Sequence, residues 1–136
     1  MTQISEHITL NQATKSNTAI RHGIDNTPSL DVAKNMILVA NKCFEPLRKW
    51  YGKPIRINSF YRCAELNLLV KGSPTSQHLN GEAIDIDAGD EIENEKLFNW
   101  CKNNLEFDQL INEYGFSWVH ISYKKEGNRS QILIVK

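Results

Sequence analysis

Four histidines occur in the 136-residue chain, and two of them stand in surroundings suited to chemistry. His78 follows a run of small polar residues, Ser73-Pro-Thr-Ser-Gln77, and precedes Gly81, where the backbone can turn sharply. Seven residues on, Asp85 sits in Ala83-Ile-Asp-Ile-Asp87, whose apolar members imply burial. A buried carboxylate is costly unless it is paired or bound to a metal. His120 is likewise enclosed, by Trp118, Val119 and Ile121. Two imidazoles and a carboxylate are a ligand set of catalytic zinc, which leaves a fourth position for water and lowers its pKa to about 7. The same residues also fit a hydrogen-bonded core cluster in which Asp85 caps a turn. Spacing alone leaves both readings open. Asp87 shares a strand face with Asp85 and suits either a partner for a ligand histidine or a turn contact. Alternation points Glu82 away from that face, while His7, in a frayed N-terminus, and His22, in a polar loop, read as solvated.

The elements that must position these residues follow from periodicity. Thr9-Leu-Asn-Gln12 fits a capping box opening a short helix. Ser29 is a cap candidate, and Asp31 suits the first turn of the helix it would start. Val32, Met36, Val39, Cys43, Leu47 and Trp50 then recur at steps of three and four, one apolar stripe on a long helix. Pro46 should kink or divide it near Phe44–Glu45, and Gly52 and Pro54 end it. Ile55–Ser59 and Ala83–Asp87 alternate as half-buried strands. A short helix over Ala64–Val70 should end on Gly72 as a left-handed cap. Glu93–Asn103 reads as a helix with Leu97, Trp100 and Cys101 inward, and strands are expected at Gln109–Glu113, Trp118–Tyr123 and Gln131–Val135. The fold class expected is α+β, an antiparallel sheet with helices packed on one side. No repeat or linker divides the chain, so one domain over 1–136 is expected, with a helical part to about 54 and a site-bearing core from about 55.

Sixteen basic residues offset sixteen acidic ones, and no basic cluster marks a nucleic-acid or membrane-surface binder. The longest apolar runs fall far short of a membrane span, and the N-terminus carries no secretory signal. Cys43, Cys63 and Cys101 are odd in number and far apart, so buried free thiols made in a reducing compartment are expected.

Ser76-Gln-His78-Leu-Asn-Gly81-Glu-Ala83-Ile-Asp85 matches the SxHxxGxAxD motif of the M15 family of zinc D-Ala-D-Ala peptidases. Trp118-Val-His120-Ile-Ser122 resembles that family's closing WxH segment. Asn58-Ser-Phe-Tyr-Arg62, with Glu65-Leu-Asn67, is similar to its upstream stretch. The resemblance runs in order from about 55 to 123. It implies a Hedgehog/DD-peptidase-like fold, Zn²⁺ as cofactor, and His78, Asp85 and His120 as zinc ligands. It implies that Arg62 binds substrate and steadies the oxyanion, as a permanently charged fork of donors can. Ser76 matches a motif serine near the substrate, or shapes the loop.

For the general base, many relatives place an acid three residues before the last histidine, where this chain has Ser117. Others place a histidine where it has Trp118. Glu113 is the nearest acidic candidate, brought to the metal if Gly115 turns the chain between two antiparallel strands. Tyr61 and Trp118 suit either a substrate groove or the core. The function implied is a zinc-dependent metallopeptidase that hydrolyses peptidoglycan stem peptides, as a D-Ala-D-Ala carboxypeptidase or an L-Ala-D-Glu endopeptidase. The alternative is a zinc-stabilised, catalytically inactive module that binds cell-wall peptides. Peptidoglycan peptides are the expected partners of a monomer, with neither nucleic acid nor membrane insertion. Synthesis in the cytoplasm without a signal peptide suits a phage-type endolysin released to act on the wall.

Overall fold

The computed structural model describes residues 2–136; Met1, which the single-domain reading includes, lies outside them. The chain opens with a small antiparallel pair, β1 (Gln3–Ser5) and β2 (Ile8–Thr9), followed by α1 (Leu10–Thr14) and α2 (Asn17–His22). Thr9 and Gln12 close the capping box that starts α1. Helix α3 (Leu30–Val39) starts on Ser29, whose Oγ accepts from the Val32 N–H, with Asp31 in its first turn. A π-helical turn (Ala40–Phe44) leads into α4 (Glu45–Tyr51).

Strand β3 (Arg56–Ser59), helix α5 (Ala64–Leu69), a 3₁₀ turn (Gln77–Asn80) and strand β4 (Ala83–Asp87) follow. Helix α6 (Glu91–Asn104) and strands β5 (Gln109–Glu113), β6 (Trp118–Ser122) and β7 (Gln131–Val135) complete the fold. The main sheet runs β3-β4-β6-β5-β7. Its pleat divides the work of each strand. Ile84 and Ile86 of β4, Val119 and Ile121 of β6 and Leu110 of β5 join Met36, Val39, Leu47, Leu97 and Cys101 in one core cluster. The long helices thus cover one face, and the opposite face is left for chemistry.

The class is α+β, but the sheet is mixed. β7 pairs with β5 in parallel, while the other neighbours are antiparallel. The reason lies in Asp108, which sits just before β5. Its carboxylate accepts from the Arg129 N–H and from Nε and Nη2 of the Arg129 guanidinium. The Gln131 N–H also donates to the Asp108 carbonyl. The chain after β6 is therefore drawn back to the start of β5, and β7 runs in the same direction.

The division expected near Phe44–Glu45 is present: the π turn ends at Phe44 and α4 begins at Glu45, which leaves Pro46 in its first turn, where a missing N–H costs nothing. Other expectations are corrected by local geometry. The wider turn shifts the helical phase. Leu47 stays in the core, but Trp50 rotates outward to 47% exposure and stacks on Trp100. Gly72 is not the left-handed residue after α5; Lys71 is, at φ +59°. Gly72 is required for close approach instead, because a Cβ there would lie 2.1 Å from Asn67 Oδ1. The N-terminus is not frayed, since His7 Nδ1 lies 2.6 Å from Glu45 Oε1 and the His7 N–H donates to Glu45 Oε2. His22 closes α2 rather than lying in a loop, and is exposed. Cys43 and Cys101 are buried, with burial pushing the Cys43 thiol up to about 12, whereas Cys63 is half-buried ahead of α5.

Candidate active site

The strand register brings the chemistry together. In the β4–β6 pairing Asp85 lies directly opposite His120, and both project from the face opposite Ile84, Ile86, Val119 and Ile121. His120 Nδ1 is 2.9 Å from Asp85 Oδ1. The 3₁₀ turn supplies the third member, with His78 Nε2 3.1 Å from Asp85 Oδ2. Ser76 caps this turn by accepting from the His78 N–H, and Gly81 ends it at φ +69°. A Cβ on Gly81 would stand within 3 Å of Met36 and of Val32, so this corner admits only glycine.

His78, Asp85 and His120 are all buried, and their ligand atoms lie within 4.8 Å of one another. His78 Nδ1 is 2.7 Å from the Phe60 carbonyl oxygen. A carbonyl only accepts, so Nδ1 carries a proton, and Nε2 is the ring atom turned to the cluster. Burial works to raise the Asp85 carboxyl, but the adjacent His78 and the hydrogen bond from His120 hold it below the usual carboxylate range. The donor set fits a divalent metal such as zinc: two imidazole nitrogens and a carboxylate converge with the tautomer of His78 already fixed.

The remaining expected residues line the cleft over this cluster. Glu113 ends β5 opposite Trp118, and its carboxylate accepts from the Trp118 indole N–H. The turn at 114–117, with Tyr114, Gly115 and Phe116 all at positive φ, returns the chain so that Glu113 shares the cleft with His78, Asp85 and His120. Burial and then the Asp85 charge push the Glu113 carboxyl above its ordinary value. Arg62 also lines the cleft, its Nη2 donating to Ser76 Oγ at 3.3 Å. Ser76 thus both shapes the loop and faces the cleft. Trp118 lines the cleft, and Tyr61 lines a neighbouring cavity. Asp87 makes the turn contact, accepting from the Gly89 N–H and from Asn94 Nδ2, and Glu82 stays outside the cluster.

Three asparagines and an aspartate hold the rim; of these only Asn67 stands in a motif, the upstream stretch, and that motif gives it no role. Asn26 donates to the Tyr61 carbonyl and accepts from the Cys63 N–H, gripping the backbone on both sides of Arg62. Asn67 donates to the Ser73 carbonyl and so ties down the loop that leads to Ser76. Asn94 bridges α6 to Asp87, the Ala88 N–H and the Phe116 carbonyl, fixing the turn behind Glu113. Asp108 holds Gln77, the neighbour of His78, as well as Arg129. Asn26 lies in the turn-forming run Asp25-Asn-Thr-Pro28, and that composition was its only signal.

A family model described as Peptidase M15 matches residues 6–122. The chain belongs to that family, and is by that membership a peptidase, a hydrolase of amide bonds. A search of curated proteins finds no match. Among the described residues no helix is long and apolar enough to cross a membrane.

Proposed function

We propose that the protein is a zinc metallopeptidase that hydrolyses peptidoglycan stem peptides, of the D-Ala-D-Ala carboxypeptidase or L-Ala-D-Glu endopeptidase type. The observation that carries this reading is the convergence of His78 Nε2, Asp85 and His120 Nδ1 in one cleft with Glu113 and Arg62, in a chain of the M15 family. His78, Asp85 and His120 are the residues to hold the ion. Zinc, when bound, supplies a Lewis acid and makes water nucleophilic near neutral pH. Glu113 is the general base: it takes a proton from the attacking water and passes it to the leaving amine. Arg62 donates to the oxygen on which negative charge develops. Phe60 keeps the proton of His78 on Nδ1, away from the ion.

The absence of an acid at position 117 favours a second reading, an inactive wall-peptide binding module. Glu113, which ends the neighbouring strand and lines the cleft, supports the enzymatic reading over it. Mass spectrometry of purified muropeptides incubated with zinc-loaded and EDTA-treated protein tests the two. Chelator-sensitive loss of one alanine identifies a carboxypeptidase, and separation of the stem after L-alanine identifies an endopeptidase. An unchanged digest from folded, zinc-containing protein supports the binding module.

A further inference from the structure

Beside the metal cleft, and sharing Arg62 and Val70 with it, lies a second cavity of about 660 Å³ along the outer side of β3. In a chain of balanced charge its lining is one-sided. Lys15, Arg56, Arg62 and His7 contribute to it, and no aspartate or glutamate does. Most of the rest of the wall is hydroxyl and amide, including Ser16, Asn17 and Asn58. Among the described residues Lys15, Arg56 and Arg62 enter no ion pair, whereas Lys53, Lys96 and Arg129 are each matched to a carboxylate. Glu45, which meets His7 at the margin, is taken up by Ser5 and His7. Arg62 Nε is buried without a hydrogen-bond partner. Unpaired cations around a polar hollow favour an anionic ligand.

The backbone of the wall is also open. β3 is an edge strand that pairs only with β4. Among the described residues, none of the backbone hydrogen bonds outside the sheet involves positions 55–59. A free strand edge is a template for an extended peptide, which gains main-chain hydrogen bonds while pockets read its side groups.

We propose that this cavity is a second binding site, which takes an extended, carboxylate-bearing peptide arm along the free edge of β3. Lys15 and Arg56 meet the arm's carboxylates. Arg62 stands where the arm passes into the metal cleft, so substrate is selected by its charge at a distance from the bond cut. The inference rests on the peptidase reading, since the arm is the continuation of the peptide held at the metal.

The test uses the zinc-loaded Glu113→Gln form of the 136-residue chain, in which turnover is slowed enough to observe binding. It is titrated with L-Ala-γ-D-Glu-L-Lys-D-Ala-D-Ala and with the same peptide carrying D-isoglutamine, while ¹H–¹⁵N NMR spectra are recorded. The acidic peptide is expected to move the amide signals of Lys15, Asn17, Arg56 and Asn58. Its Kd should be lower than that of the amidated peptide by about tenfold, the effect of losing one charge-assisted contact. Arg56→Gln and Lys15→Gln, both at exposed positions, should erase that difference. Equal affinities for the two peptides, or shifts confined to the metal cleft, overturn the proposal. Wild-type protein with the same peptides reads cleavage separately. Cleavage without charge dependence overturns this site alone, and charge-dependent β3 shifts without cleavage support the site while removing the peptidase reading.

Discussion

The floor of the cleft is made of strands and a 3₁₀ turn, and its rim is made of loops. On the floor, Asp85 and His120 face each other because β4 and β6 pair in a register that also buries Ile84, Ile86, Val119 and Ile121. A slip of one residue would send those four apolar side chains to the cleft and the site into the core, so the packing that stabilises the sheet also specifies the site. On the rim no such periodicity operates. Arg62 is placed by Asn26, the Ser76 loop by Asn67, and the turn behind Glu113 by Asn94, each through side-chain bonds to backbone. The floor is fixed by a property of the whole sheet and the rim by single polar residues, so substitutions in the two regions should fail differently.

The largest effect is expected on the floor. Asp85→Ala should abolish both metal retention and turnover, read by metal analysis of purified protein beside a peptide-cleavage assay, because two imidazoles alone make an incomplete ligand set. Glu113→Gln should separate these two readouts, keeping the metal while kcat falls by about 10²–10⁴-fold, the usual contribution of a general base. Arg62→Ala should lower kcat by about 10²–10³-fold, as removal of one oxyanion donor does, again with metal retained. Asn26→Ala should cost roughly 1–3 kcal/mol of stability in urea unfolding, because the Cys63 N–H and Tyr61 carbonyl lose their partner. It should also lower kcat more than it raises KM, since Arg62 is displaced while the metal cluster is untouched.

The smallest effect concerns pH. Contacts with Arg129 hold the Asp108 carboxyl at about 2, below its ordinary 3.8. The folded state therefore binds this proton less readily than the unfolded chain. The stabilisation is complete above about pH 4 and is lost as pH falls toward 2. Asp108→Asn should be less stable than wild type at neutral pH, with the two unfolding curves converging in acid.

The same contrast explains what the sequence disclosed. Alternation in Ala83–Asp87 and Trp118–Ser122 located both strands and the residues they carry, since a half-buried strand advertises its register. The capping residues Thr9 and Ser29 were equally legible, as their chemistry is local. The parallel β7 was not, because it depends on Asp108 reaching Arg129 across 21 positions. Nor was the outward turn of Trp50, where a π turn breaks the step of three and four that the pattern assumed. Gly72 showed that something special was needed at its position but not what, since a left-handed cap and a close approach to Asn67 both call for glycine. The asparagines of the rim act through backbone groups at separations from 6 to 37 positions, and no regular spacing announces them.

The most direct test of the central claim is metal stoichiometry. Wild-type protein and the His78→Ala, Asp85→Ala and His120→Ala variants would be dialysed against buffered zinc and measured by inductively coupled plasma mass spectrometry, with circular dichroism to check that each is folded. One zinc per wild-type chain, and none retained by any folded variant, is the expected result. A folded wild type that takes up no zinc, or variants that still hold one ion per chain, would contradict the assignment of these three residues as the metal site.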